Sequence, residues 1–402
     1  MKILIISHMY PSAFNEITGI FVHQQVKELI KQGCQVEVIC PVPATPFPIK
    51  YLSKKWRKYS EIPQNTRLEG VKIFYPRYLS FPRAFFFENS GKMMYRGIKK
   101  VVNNIYNKGF KFDLIHAHVA LPDGYAGMKI AKKYKKPLVV TIHGQSFHTI
   151  IFRNIECKKN IEKVIDYSNK TIVVSDTLKT IGARNLKIDA KKMLVINNGV
   201  DLGEINFNTL KGYFKKYKNK RMILSIGCLH ERKGHKEMVE AISRLVKKYP
   251  DIIYLIGGDG NEEINLKKMV EVKNLGRHIR FLGRVDREEV MYLMSICEVF
   301  ALPSWDEGFG VVYIEAMAHG KPTIACRGEG IDGVIKNKET GMLVPSKNVS
   351  KLTEAIDYLL LNPDEAKNIG KQAKEKILKN YTWEKISRKI INLYKSIIIN
   401  KT

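Results

Sequence analysis

One unit recurs along this chain: a short run of consecutive apolar residues, then a polar stretch whose apolar positions fall three and four apart. Apolar runs without polar alternates mark strands covered on both faces, and a helix between two such strands sets them parallel in one sheet. The first cycle is a strand over 3–7, a helix over 21–31 with Val22, Val26, Leu29 and Ile30 on one face and Gly33 as its stop, and a strand over 36–40. Further strands are predicted over 71–75, 114–118, 138–143, 171–175 and 194–196. A polar, lysine-rich connection then leads from Asp201 to Arg221, and the rhythm restarts over 222–227. Strands over 252–256, 279–282, 299–302 and 323–326 follow, with helices over 237–248 and 349–361. The expectation is two α/β domains, 1–200 and 201–375, and a helical tail over 376–402 that returns to the first domain.

Several classes are excluded by what the chain lacks. The four aliphatics from Ile3 to Ile6 are too few for a signal-peptide core, and no segment approaches the ~20 apolar residues that span a bilayer. Six cysteines without Cys-x-x-Cys spacing, most beside apolar runs, fit a reduced, cytoplasmic protein. The net charge of +29 is concentrated early: residues 1–200 carry 33 Lys and Arg against 13 Asp and Glu, the remainder 35 against 26. Nucleic acid is one partner such charge can attract, but no RNA- or DNA-binding module is present and the aromatic residues are not interleaved as stacking platforms, so none is expected. Lys50, Lys54, Lys55, Arg57 and Lys58 surround Tyr51, Leu52 and Trp56, and Arg83 stands beside Phe85, Phe86 and Phe87. Mixed basic and large apolar residues describe a surface that rests on anionic lipid, which predicts peripheral contact with the inner face of the cytoplasmic membrane.

The stretch Glu307-Gly-Phe-Gly-Val-Val-Tyr-Ile-Glu315 carries the chemistry. Its glycines open a turn and 311–319 can wind as a helix, which puts Glu315 inside the helix and Glu307 in the loop before it. A helix start offers free N–H groups and a positive dipole end to phosphate, and flanking carboxylates accept hydrogen bonds from neutral hydroxyls. That layout suits a sugar joined to a nucleoside diphosphate. Each charge-assisted hydrogen bond contributes about 1.5–3 kcal/mol, enough to orient a sugar.

Ser304-Trp-Asp-Glu-Gly-Phe-Gly310, Glu315-Ala-Met-Ala-His-Gly-Lys-Pro322 and Thr340-Gly-Met-Leu-Val344 together resemble the donor-binding signature of glycosyltransferase family 4, the retaining GT-B enzymes. The resemblance covers nearly the whole chain. It implies a GT-B fold: two doubly wound, Rossmann-like domains facing a central cleft, with a last helix crossing back. By that resemblance Glu315 binds the nucleotide ribose, and Glu307 contacts donor-sugar hydroxyls and steadies charge at the reacting carbon. Gly308, Phe309, Gly310 and Val311 bring the backbone to sugar and diphosphate. Gly227-Cys-Leu-His-Glu-Arg-Lys-Gly234 matches the segment that clamps the diphosphate, with Lys233 as the leading phosphate ligand. Cys228 stands where many relatives have Arg, leaving Arg232 to supply a second positive charge. Gly333 stands where relatives often have an acidic residue. In the first domain the resemblance places Gly19 in a loop by the diphosphate, His118 in the cleft near donor and acceptor, His116 as a structural residue, and His143, Gly144, Ser175 and Asn198 on the acceptor side.

The activity so implied is transfer of a sugar from a nucleoside diphosphate sugar to a hydroxyl of a glycan acceptor, lipid-linked, in cell-surface polysaccharide biosynthesis. His116 and His118 lie two apart on one strand face, but no third residue is spaced to complete a metal site. No Asp-x-Asp occurs in the chain, so Lys233, a helix N-terminus and backbone donors must meet the phosphate charge, and neither metal nor other cofactor is expected. The alternatives are a nucleotide-sugar epimerase on the same two-domain plan, which would need no acceptor, and a basic nucleic-acid-binding protein.

Overall fold

The computed structural model describes residues 1–12, 17–45, 48, 51, 53–81, 84–205, 217 and 220–399. Lys50, Leu52 and Arg83 of the expected basic and aromatic surface lie outside these residues, as do the side chain of Lys55 and most of the connection between Asp201 and Arg221. The chain divides into two compact units, Met1–Asn198 with Trp383–Thr402, and Gly199–Thr382.

The first unit is built on eight strands: β1 (Lys2–Ile6), β2 (Gln35–Ile39), β3 (Asn65–Leu68), β4 (Val71–Phe74), β5 (Leu114–His118), β6 (Leu138–Ile142), β7 (Lys170–Val173) and β8 (Met193–Val195). Their order is β8-β7-β6-β5-β1-β2-β4-β3, parallel except for the β3–β4 hairpin. That hairpin escapes the sequence reading because β3, Asn-Thr-Arg-Leu, carries no apolar run. The chain builds outward from β1 to β2 and β4, then returns to β5 on the other side of β1. Such a reversal splays the loops at the carboxyl ends of β1 and β5 and leaves a crevice there. Ile3 and Ile5 face a core completed by Val22, Val26 and Leu29 of the helix Ile20–Lys31 and by Ile386, Ile390 and Tyr394 of the helix Trp383–Ile399. The indole N–H of Trp383 donates to Gln24 Oε1 at 2.9 Å, tying the last helix to the first.

Six parallel strands form the second unit: β9 (Arg221–Ile226), β10 (Ile252–Gly257), β11 (Ile279–Gly283), β12 (Val299–Ala301), β13 (Thr323–Cys326) and β14 (Met342–Val344). Their order, β11-β10-β9-β12-β13-β14, reverses between β9 and β12. Gly227 and Glu307 therefore follow the two strands that flank the reversal. The tail differs from expectation: residue 376 lies within the helix Pro363–Asn380, which belongs to the second unit and packs on the helix Val311–Ala318. The break comes later, where Tyr381 O accepts from Val200 N–H and Thr382 bridges to Val200. Among the described residues no helix is long and apolar enough to cross a membrane.

Candidate functional site

In the second unit, the loop after β9 makes a short 3-10 turn (Glu231–Lys233) before the helix His235–Leu245. That turn aims Lys233 across the sheet reversal at the loop after β12, where its ammonium pairs with the Glu307 carboxylate. Both side chains are largely buried, at 13% and 14% exposure, so water screens the pair weakly. A Cβ on Gly227 would sit 3.9 Å from the Lys233 stem, an ordinary contact, so the protein alone does not demand glycine there.

Three groups fix the Glu307 loop. Glu307 N–H donates to Glu329 Oε2 at 2.9 Å, Gly330 N–H returns a bond to Glu307 O at 3.0 Å, and the Tyr313 hydroxyl donates to Leu302 O at 2.7 Å. Burial pushes the Glu329 carboxyl pKa up, while the hydrogen bonds from the loop's N–H groups pull the other way. Gly310 caps the helix Val311–Ala318 at φ 77°, and a Cβ there would run into the Tyr313 ring, so position 310 needs glycine twice over. Gly308 and Phe309 are buried in the turn, and Val311 opens the helix.

Inside that helix Glu315 is buried, and its Oε1 meets Arg287 Nη2 at 2.5 Å. Its Oε2 is buried with no hydrogen-bond partner among the described residues. An unsatisfied buried carboxylate oxygen costs roughly 1–3 kcal/mol or more, so it is a ready acceptor for a ligand hydroxyl. Arg232, by contrast, is exposed: its guanidinium donates to Asp306 O at 3.3 Å, in an open depression shared with His230, Trp305 and Lys347. Arg287 is thus the second cation beside the two glutamates, and the sequence reading missed it. The helix-start pattern Asp286-Arg-Glu-Glu289, which forms a capping box, was the signal that could have located it. Glu329 had no local signal.

In the first unit, β5 ends at His118, fully buried, whose Nδ1 lies 2.9 Å from His143 Nε2 with the two rings stacked. One of those two nitrogens donates a proton to the other. His116 is occupied on both sides, by Tyr394 at 2.5 Å and Thr141 at 2.7 Å, as a structural residue would be. Burial lowers the pKa of His116 and of His143 to about 3, and burial with the neighbouring rings takes His118 well below its ordinary value, so these rings are neutral at pH 7. Val119 directly after His118 adopts φ 73°, a strained value for a β-branched residue. Gly144 lies just past β6 at φ 131°. Ser175 caps the helix Asp176–Asn185, its hydroxyl accepting from Leu178 N–H at 3.2 Å, and Asn198 is buried beyond β8. Gly19 caps the helix Ile20–Lys31 at φ 72°, where a Cβ would meet the Met9 carbonyl. Among the described residues no cluster of three His, Cys, Asp or Glu is arranged to hold a metal ion.

Residues 206–376 match the family Glycosyl transferases group 1, and residues 18–204 match Glycosyltransferase Family 4. The chain is 31% identical over 310 residues to the uncharacterized glycosyltransferase MJ1178 of Methanocaldococcus jannaschii, covering 75% of this chain and 82% of that protein. It is 27% identical over 361 residues to TuaC, the glycosyltransferase assigned to teichuronic acid biosynthesis in Bacillus subtilis (strain 168), covering 89% and 88%. Among solved structures it is similar to Anabaena HepE in complex with UDP and glucose, with a TM-score of 0.73, 18% identity, and 98% and 100% of the two chains covered.

Proposed function

Because the chain belongs to the glycosyltransferases, joining a Glycosyltransferase Family 4 first half to a Glycosyl transferases group 1 second half on the expected GT-B fold, we propose that it moves a sugar from a nucleoside diphosphate to a hydroxyl of a glycan acceptor with retention. The observation that carries this reading is the pairing of Lys233–Glu307 and Arg287–Glu315 around a helix start, with Glu315 Oε2 left as a buried acceptor. The HepE complex with UDP and glucose supports a nucleotide sugar as donor.

In this mechanism the diphosphate takes Lys233 from Glu307 and settles on the N–H groups at Val311, where the helix dipole also favours its charge. Glu315 accepts from the ribose, and Glu307, released, accepts from a hydroxyl of the sugar. The bond from the anomeric carbon to the phosphate oxygen breaks, and the electron pair leaves with the diphosphate. Lys233 and the helix start meet that growing charge more strongly than in the ground state, which is what lowers the barrier. The acceptor oxygen bonds to the same face, and its proton passes to an oxygen of the departing diphosphate. His118, held neutral, orients the sugar and does not act as a strong base. The donor set is cationic and amide in character, which suits phosphate without a metal.

The acceptor is lipid-linked in this proposal, and the protein works at an anionic membrane surface in cell-surface polysaccharide synthesis. The name of TuaC, the basic first half, and the exposed Phe85 and Phe86 support this. The test is turnover of a panel of nucleoside diphosphate sugars in EDTA. Sugar transfer to an acceptor is expected. Release of an altered nucleotide sugar with no acceptor, or complete and metal-reversible loss in EDTA, would contradict it.

A further inference from the structure

In the first unit His8 follows β1 at the sheet reversal, and the Asp123 carboxylate lies beneath it with no exposed surface. The His8 backbone N–H points at both Asp123 oxygens at 3.3 Å, and its Nδ1 lies 2.8 Å from Oδ2. A carboxylate against Nδ1 holds the proton there and leaves the Nε2 lone pair as an acceptor. The ring keeps 30% of its surface exposed and lines a cavity of about 210 Å³. Its other walls are mostly aromatic or apolar, among them Tyr78, Phe81, Phe85 and Pro122, with Phe81 and Phe86 in edge contact at 5.6 Å. Ser80 and Ser90 also line it, and the Ser90 hydroxyl is buried with no partner among the described residues.

We propose that this cavity receives the apolar flank of the acceptor, and that His8, fixed by Asp123, accepts the hydrogen bond of an acceptor hydroxyl while Ser90 meets a second polar atom. The ligand class is therefore a glycoside or alcohol carrying an alkyl, prenyl or aryl group. An imidazole buttressed by a carboxylate has no use in a purely apolar pocket, and an unbuttressed phenylalanine cluster would not select a hydroxyl. Burial lowers the His8 pKa, but the Asp123 charge and hydrogen bond more than reverse this, so the ring accepts through Nε2 only above its raised pKa. Naming the ligand an acceptor rests on the glycosyl-transfer reading; the pocket itself does not.

The experiment titrates the full chain, labelled with 15N-histidine, with n-octyl β-D-glucoside below its micelle concentration and with methyl β-D-glucoside, and separately with UDP and other nucleoside diphosphates. The octyl compound is expected to shift the His8 ring signals saturably, identified by their loss in His8→Gln, while the methyl compound does not. His8→Gln and Ser90→Phe should each weaken octyl glucoside binding at least tenfold and leave nucleotide binding unchanged, which shows that the variants are folded. Equal binding of the octyl compound by wild type and both variants, or no movement of the His8 signals, would overturn the proposal. Octyl glucoside binding with no binding of any nucleoside diphosphate would keep the pocket and remove its role as an acceptor site.

Discussion

Lys233 and Glu307, 74 residues apart, share an ion pair that joins the loops on either side of the sheet reversal in the second unit. Each occupies the other's binding capacity, so a diphosphate that binds Lys233 also frees Glu307 to meet a sugar. This predicts asymmetric variants. Lys233→Ala should weaken donor binding roughly tenfold to hundredfold, the value of about 1.5–3 kcal/mol for a bond to a charged group, and lower kcat as well. Glu307→Ala should lower kcat more than it changes donor binding. Steady-state kinetics beside nucleotide titration separates the two; full turnover in the Glu307 variant would remove its assigned role.

Arg287 and Glu315 make the opposite case, because here the carboxylate is buried and the cation half-buried. Arg287→Ala leaves Glu315 buried without its counter-ion, a change that costs about 3–5 kcal/mol for a fully buried pair and less here. Arg287→Ala with Glu315→Gln should recover part of that stability but not nucleotide affinity. Urea midpoints and nucleotide titration of the single and double variants check this. No recovery in the double variant would show that the ion pair is not what couples them.

The stacked histidines set a pH dependence. His143 has a folded pKa of about 3 against 6.5 for the free group, so between those values the unfolded chain binds the extra proton and stability falls as pH falls. For this group alone the slope approaches about 1.4 kcal/mol per pH unit once below 6.5. Between pH 7.5 and 5.0, above the titration range of most carboxylates, the urea midpoint should drop. His143→Gln should shrink that drop, and an unchanged drop in the variant would refute the assignment.

Membrane contact is predicted from Phe85 and Phe86, 64% and 60% exposed, and from the helix Lys54–Glu61. Changing Lys54, Lys55, Arg57 and Lys58 to Glu, or Phe85 and Phe86 to Ser, should release the protein from anionic vesicles in a flotation assay. Each basic residue near such a surface contributes about 1 kcal/mol, so the fourfold charge reversal should abolish binding at physiological salt. Retention by both variants would remove the membrane from the account.

The periodic features of the fold were legible because burial on both faces leaves strands such as 252–256 and 299–302 without polar alternates. The short strand Asn65–Leu68 gives no such run and was missed. In the site, Glu307, Glu315 and Lys233 belong to contiguous motifs and could be named from sequence. The capping-box pattern at 286–289 marks a helix start at Arg287 but not its pairing with Glu315, 28 residues on; Glu329 and the His8–Asp123 pair have no local signal, since their partners lie 22 and 115 residues away and only the folded sheets bring them together. Arg232, adjacent to Lys233 in sequence, turns outward to Asp306 because neighbours in the short 3-10 turn project in different directions.

The most direct measurement is a crystal structure with a nucleoside diphosphate bound. The account predicts its phosphates on Lys233 and on the N–H groups opening the helix at Val311, its ribose on Glu315 Oε2, and Glu307 released from Lys233. A nucleotide bound elsewhere, with the Lys233–Glu307 and Arg287–Glu315 pairs both intact, would contradict it.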